Sequence, residues 1–364
     1  MLLETPCVLI DDDRLERNIE KMADLARRSH VQLRPHLKTH KSVKIAKMQK
    51  SAGAMGFTVA KISEAEVMAD AGLDDFFIAY PIIGKSKIKR LLDLNRRCRL
   101  IVGVDSLKGA LALSEAALQD GQELTVRLEF DMGFGRTGAS PDQAVDLAQK
   151  ISRMEALRFD GIFAFKAMTY AGHPTSDRKA AGLEEGQLAV EMADRIRASG
   201  IAVKNISVGS TPTAEYAASV EGITEIRPGT YVLNDMATVK SGSCTLDDCA
   251  AAVLVTIVSK TEDRLVIDGG SKTFSTDVQP GTAPLFLEGF GQIIGDDRLV
   301  LSRFSEEHGI ITIKEGANDY QVGDTLLIVP NHICTTLNLH DTFVLTRHHA
   351  PAETIRVDAR GCVF

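Results

Sequence analysis

"LRPHLKTHKS", residues 33–42, is an apolar, proline-interrupted run that ends in a crowd of cations. Arg34, His36, Lys38, His40 and Lys41 fall within ten residues, and Lys44 and Lys47 follow. The same arrangement recurs along the chain: a short β-branched run, a few polar residues, then a helical pattern. Candidate strands lie at 31–37, 56–60, 76–79, 100–104, 125–130, 159–165, 203–208 and near Glu225. Just past their ends stand Lys38, Lys61, Tyr80, Asp105 and the stretches 131–136, 170–173, 209–213 and 227–231. Between them run segments such as "DDRLERNIEKMADLARRSH", where Leu15, Ile19, Met22 and Leu25 recur at helical spacing behind N-cap candidates Asp11 to Asp13. "SEAEVMADAG" and "GQLAVEMADRIRASG" close on the glycine that a helix C-terminus prefers.

Eight strands alternating with helices predict an α/β fold, a (β/α)8 barrel. An open doubly wound sheet is the runner-up. The barrel is preferred because closure gathers all eight strand ends on one face, where barrel active sites lie. From about residue 240 the texture changes. "CAAAVLVTIVSK", "RLVIDGGSK", "LVLSRFSEEHGIITI", "DTLLIVPNHIC" and "DTFVLTR" are strand-like runs with turns and no long helix between them. The expected organisation is a barrel over 10–240 and a mostly antiparallel β domain over 241–364, to which residues 1–9, with "TPCVLID", add a strand.

The 364 residues, 44% hydrophobic and 25% charged, suit an enzyme-sized globular chain of two domains. A net charge of −7, no Trp and no basic cluster interleaved with aromatics oppose a nucleic-acid partner. No apolar run approaches the roughly 20 residues of a membrane span, and the first residues lack a secretory pattern. Six scattered cysteines without a CxxC complete the expectation of a reduced, cytoplasmic protein.

The strand-end residues carry the chemistry. Lys38, partly desolvated among cationic neighbours, would have a lowered pKa and act as a nucleophile toward an aldehyde; the alternative is a solvated basic turn. "VGSTPT", 208–213, offers Gly209 for close backbone approach and the hydroxyls of Ser210, Thr211 and Thr213, late in the barrel where phosphate sites gather; ordinary polar turns have the same composition. "EIRPGTYVLND" brings Tyr231 as a further phosphate or ring contact. "EFDMGFGRTG" carries Arg136, a fixed cation for a phenolate or carboxylate, or else a surface Arg on a flexible loop. "TYAGHPT" sets Tyr170 and His173 three apart, His173 being a candidate base. In the second domain "SEEHG" is most simply a solvated turn. "PNHIC" sets His332 and Cys334 at alternate positions of an expected extended segment, facing the same way, as two ligands of an open divalent-metal site.

With these motifs in order along nearly the whole chain, the sequence resembles the D-threonine aldolase and D-serine dehydratase group of fold-type III pyridoxal-phosphate enzymes, relatives of alanine racemase. "RPHLKTHK" together with "PNHIC" is the specific part of the likeness. The resemblance implies pyridoxal 5'-phosphate on Lys38 as a Schiff base, and Arg136 near its phenolic oxygen. It implies Gly209, Ser210 and Thr211 at the phosphate, Tyr170 and His173 near the substrate, and a divalent metal (zinc, manganese or magnesium) on His332 and Cys334. It also implies a homodimer acting on a small D-amino acid. Members either cleave Cα–Cβ, giving glycine and an aldehyde, or eliminate the β-hydroxyl, giving a 2-oxo acid and ammonia. The "SEEHG" motif and the N-terminal half resemble the aldolases, whereas Cys334 and "VGSTPT" resemble the dehydratases. The expected reaction is cleavage of a D-3-hydroxy amino acid, with dehydration the alternative; a racemase fits less well, since it calls for no metal and "PNHIC" speaks against it, as does a non-catalytic cofactor-binding protein of the same barrel type, which lacks the C-terminal β domain.

Overall fold

The computed structural model of the chain describes residues 3–314, 319–348 and 350–364. They divide into two units: one of residues up to Lys21, Thr39–Ser42 and Thr230–Gly361, the other of Met22–Lys38, Val43–Gly229 and Cys362–Phe364.

The second unit is an eight-stranded parallel barrel. Its strands are Gln32–Leu33, Phe57–Val59, Asp75–Pro81, Arg99–Val104, Leu124–Glu129, Leu157–Phe163, Asn205–Val208 and Glu225–Ile226. From Phe57–Val59 on, each pairs in parallel with the next, and Glu225–Ile226 returns to Gln32–Leu33. The first and second strands meet at the isolated parallel bridge His36–Thr58, which closes the ring. The first strand is shorter than the expected 31–37. Pro35 has no N–H to give a ladder, and the chain turns at once into the 3-10 helix Leu37–Thr39, which carries Lys38. Burial follows strand pairing: Phe76, Phe77, Ile78, Ile101, Val126, Leu128 and Ile206 are fully enclosed.

The centre of the ring is not the aliphatic stack usual for such barrels. Glu225 accepts from Arg34 Nε at 2.8 Å, from Arg127 Nη1 at 2.6 Å and from Ser207 Oγ at 2.5 Å. Arg34 Nη1 also reaches Asp75 at 2.5 Å, and Arg127 Nε reaches Asp160 at 2.9 Å. Above this cluster Arg227 donates to Ser207 and to the Ala164 carbonyl, its guanidinium over the rings of Phe77 and Phe163. Burial alone would raise the Glu225 carboxyl, but Arg127 and Arg34 overcome it and hold the group at about 2. Glu225→Gln therefore leaves two buried guanidiniums short of countercharge and should cost roughly 3–5 kcal/mol in urea denaturation. The sign in pH follows from the depressed value. The stabilisation is complete above the ordinary carboxylate range and is lost as pH falls toward about 2, so the variant should flatten the acid limb of the stability profile.

The first unit is built on a nine-stranded, mostly antiparallel sheet. Ala251–Lys260 lies at its centre, paired antiparallel with Cys7–Asp11, Arg264–Ile267 and Thr325–Pro330. Cys7–Asp11 pairs in parallel with Thr342–Arg347, so the N-terminal strand is interior to the sheet. Two strands escaped the sequence reading, Gly291–Ile293 and Ala350–Arg356. The helix Asp12–Arg28 begins where Asp11 accepts the Arg14 N–H at 2.9 Å, and it carries acids in its first turn and Arg27 and Arg28 in its last, as its dipole favours. Among the described residues, no helix is long and apolar enough to cross a membrane.

Candidate active site

Parallel pairing puts every strand's C-terminal end, and the loop after it, at one mouth of the barrel. Lys38 is there, exposed, its backbone N–H 3.3 Å from His36 Nδ1. Across the next two strand ends, Lys61 Nζ sits 3.5 Å over the ring of Tyr80. After the fifth strand, Asp131 Oδ1 accepts the N–H groups of Gly133, Phe134 and Gly135 at 2.9–3.2 Å, which fixes the loop that presents Arg136. The Arg136 guanidinium lies 4.8 Å from the ring centre of Phe165 and 5.4 Å from that of Phe134. The loop is thus ordered by a carboxylate and two rings, not a flexible surface turn.

After the sixth strand, Thr169–Tyr170 and His173–Pro174 form a two-stranded hairpin in which Tyr170 and His173 are directly paired. Its two turn residues, Ala171 (φ 48°) and Gly172 (φ 79°), are both left-handed, the mark of a type I′ turn. Both Tyr170 and His173 are exposed. After the seventh strand, Gly209 (φ 87°) turns the chain. Its N–H points to Glu185 Oε1 at 3.2 Å, inward and away from any ligand at the mouth. Ser210 N–H donates to Thr213 Oγ1 at 3.1 Å, Thr213 Oγ1 donates to Glu185 Oε2 at 2.6 Å, and Ser210 and Thr211 remain partly exposed. A mouth with an exposed amine, a fixed guanidinium and a hydroxyl-bearing turn suits a phosphorylated aldehyde: an amine for the aldehyde carbon, a cation for a phenolate, hydroxyls for a phosphate.

The other unit holds Tyr231, His332 and Cys334. Tyr231 is buried in the turn Thr230–Val232. His332 and Cys334 are not in an extended segment as expected. The strand stops at Pro330, His332 (φ −140°, ψ 105°) is the N-cap, and Cys334 stands in the first turn of the helix Ile333–Leu337. The cause is Asp235, fully enclosed, which accepts the Ile333 N–H at 3.0 Å and so satisfies a first-turn donor that a continued strand would have given to a neighbour. The helical turn still keeps the two side chains together. Burial opposes the charged imidazole, yet the Cys334 thiolate and Asp277 raise His332 to about 11. Burial also opposes the thiolate, yet His332 lowers Cys334.

His332 Nδ1 is 2.6 Å from Asp277 Oδ2, and Asp277 is held in turn by Ser275 and by Thr335 Oγ1 at 3.0 Å. Cys334 Sγ lies 3.2 Å from Thr39 Oγ1. With Nδ1 committed to the carboxylate, Nε2 is the ring nitrogen that could serve a metal once the ring loses its proton. Among the described residues, no group of three or more His, Cys, Asp or Glu side chains is arranged for a metal. "SEEHG" is a solvated turn: Ser305 N–H bonds the His308 carbonyl, and Glu306 and Glu307 pair with Lys272. Sequence reasoning missed Asp277, Phe165, Lys166 and the neighbours Glu184 and Glu185; none stands in a spaced motif.

A barrel with a lysine-bearing turn, a guanidinium loop and a Gly-Ser-Thr turn at its mouth, joined in one chain to a β sheet, is the alanine racemase class of fold. Residues 10–236 match the family model "Alanine racemase, N-terminal domain", and residues 250–346 match "Putative serine dehydratase domain". The chain belongs to this family. It is 31% identical over 364 residues to a D-threonine aldolase of Arthrobacter sp., covering 99% of this chain and 93% of the relative. It is 33% identical to a D-threo-3-hydroxyaspartate dehydratase of Delftia sp. (strain HT23), covering 92% of each. Among solved structures, a D-threonine aldolase from Filomicrobium marinum superposes with a TM-score of 0.89 at 31% identity, over 99% of this chain and 96% of that one. An alanine racemase from Clostridium difficile, at 15% identity and a TM-score of 0.71, shares the fold.

Proposed function

We propose that the protein is a pyridoxal-phosphate- and divalent-metal-dependent lyase that cleaves D-3-hydroxy amino acids to glycine and an aldehyde. The observation that carries this reading is likeness over the whole chain, both modules included, to relatives named for such reactions. When bound, the cofactor supplies an electron sink for the bond broken at Cα. When bound at His332 and Cys334, a divalent ion acidifies a hydroxyl ligated to it.

The rest is the work of the chain's own groups. Lys38 holds the cofactor's aldehyde carbon through its amine. Arg136 supplies fixed positive charge for the ring oxygen, Ser210 and Thr211 hydroxyls hold the phosphate, and Gly209 shapes their turn. Tyr170 and Tyr231 contact the cofactor. His173, on its braced hairpin, takes the β-hydroxyl proton, so that Cα–Cβ parts and Cα is then reprotonated to give glycine. A small D-amino acid as substrate, a homodimer and a cytoplasmic location complete the proposal; sedimentation tests the dimer.

One observation favours dehydration instead. Cys334 offers a soft thiolate to the metal, and a dehydratase relative with one cysteine changed to alanine is described in a metal-free form. In that reaction Lys38 takes the Cα proton and the β-hydroxyl leaves. D-Threonine and D-serine offered separately, with glycine and 2-oxo acid both quantified, decide between the two. Cleavage predicts glycine from D-threonine and a loss of roughly 10²- to 10⁴-fold in His173→Ala. Only 2-oxobutyrate from D-threonine and pyruvate from D-serine, with His173→Ala unaffected, would replace aldolase by dehydratase.

A further inference from the structure

Two adjacent acids on the helix Arg178–Ala198 each grip a different loop of the barrel mouth. Glu184 pairs with Lys166, a lysine only 1% exposed that also donates to the Thr169 carbonyl at 2.7 Å. Both Glu184 oxygens accept the Ala171 N–H, at 3.1 and 3.2 Å, in the turn of the Tyr170–His173 hairpin. Glu185, completely enclosed, accepts the Gly209 N–H at 3.2 Å and the Thr213 hydroxyl at 2.6 Å.

The helix reaches this depth because Gly182 and Gly186 bracket the pair. A Cβ at Gly182 would stand 2.8 Å from the Thr213 carbonyl oxygen, and one at Gly186 would stand 2.6 Å from Val220 Cγ2. Any larger residue would lift the helix off the turn and out of bonding range. The enclosed Glu185 carboxyl has its pKa raised by burial, which suits a group behind an anion-binding turn.

We propose that Glu184 and Glu185 are positioning residues. Glu185 sets the Gly209–Thr213 turn in its cofactor-binding shape, and Glu184 sets the hairpin that carries Tyr170 and His173. The helix between them holds the two loops in register. The proposal rests on the reading that this turn binds the cofactor's phosphate. Neither acid touches substrate or cofactor.

The test compares binding of pyridoxal 5'-phosphate and of pyridoxal, which lacks the phosphate, to the full-length apoprotein by visible absorbance. Wild type should favour the phosphorylated form strongly. Glu185→Ala should lose roughly ten- to hundredfold in affinity for that form and little for pyridoxal. Glu185→Gln, which keeps an acceptor for Gly209, should recover most of the loss. Thr213→Val, a near-isosteric change on the other side of the bond, should reproduce it if the Glu185→Ala chain fails to fold. Glu184→Ala should leave the phosphate preference intact while speeding amide exchange at Ala171 and raising KM for the amino acid. A wild type that binds both forms alike would overturn the phosphate assignment and the proposal with it. A wild type that discriminates, beside folded Glu185→Ala and Thr213→Val variants that discriminate as well, would overturn the proposal alone. Unchanged exchange and KM in Glu184→Ala would also overturn it.

Discussion

Lys38→Ala is expected to lose the visible absorbance of the lysine-bound cofactor and to fall in activity by a factor on the order of 10⁴ or more, while the far-ultraviolet dichroism of the fold stays as it was. The side chain is exposed at the mouth of the barrel on a three-residue 3-10 turn, and its removal opens no cavity in the core. The loss should therefore be chemical rather than structural. Lys61, the next lysine at the same mouth, is stacked on Tyr80. If Lys38→Ala keeps its absorbance, Lys61 becomes the attachment point, and the double variant shows it.

The second large effect concerns the metal. Chelation should bring turnover to background without releasing the cofactor, and zinc or manganese added back should restore it. A chelated protein that turns over at full rate would leave half-buried His332 and buried Cys334 without catalytic duty. Asp277→Asn separates metal binding from catalysis. The asparagine keeps the shape but no longer carries the charge that orients His332, and metal affinity should drop by roughly 10- to 100-fold, read by competition with a chromogenic chelator. Excess metal should then recover the variant's rate.

The eight barrel strands were legible because each is a short apolar run closed by polar residues, and the period of strand and helix repeats without interruption. The contents of the barrel were not. Arg34, Arg127 and Glu225 sit in or beside strand patterns as charged residues, and nothing local says that they point inward to one another across separations of up to 191 residues. In "PNHIC" the nearness of His332 and Cys334 was legible, but the segment was misread as extended. The short helix Ile333–Leu337 depends on Asp235, 98 residues earlier, whose carboxylate fixes its first turn. The strand-end candidates were legible by position, since barrel topology brings strand ends together whatever lies between them. The residues that brace the candidates, Glu184 and Glu185 at the barrel mouth and Asp277 at His332, belong to elements whose sequence patterns report only helix or loop.

The charged centre of the barrel also constrains how such a chain can be altered, by drift or by design. Exchanging Glu225 alone leaves Arg34 and Arg127 with only Asp75 and Asp160, and exchanging either arginine alone leaves Glu225 with one guanidinium, so each single step should lower stability. Replacing Arg34, Arg127 and Glu225 together by apolar residues of matched volume escapes that loss, because a buried ionic triad can give way to a well-packed hydrophobic one at little or no net cost. Asp75 and Asp160, which share those arginines, would then need new partners in the same move. The interior is thus a lock that opens only when several tumblers turn at once, and a library that varies these positions one at a time would find nothing but broken barrels.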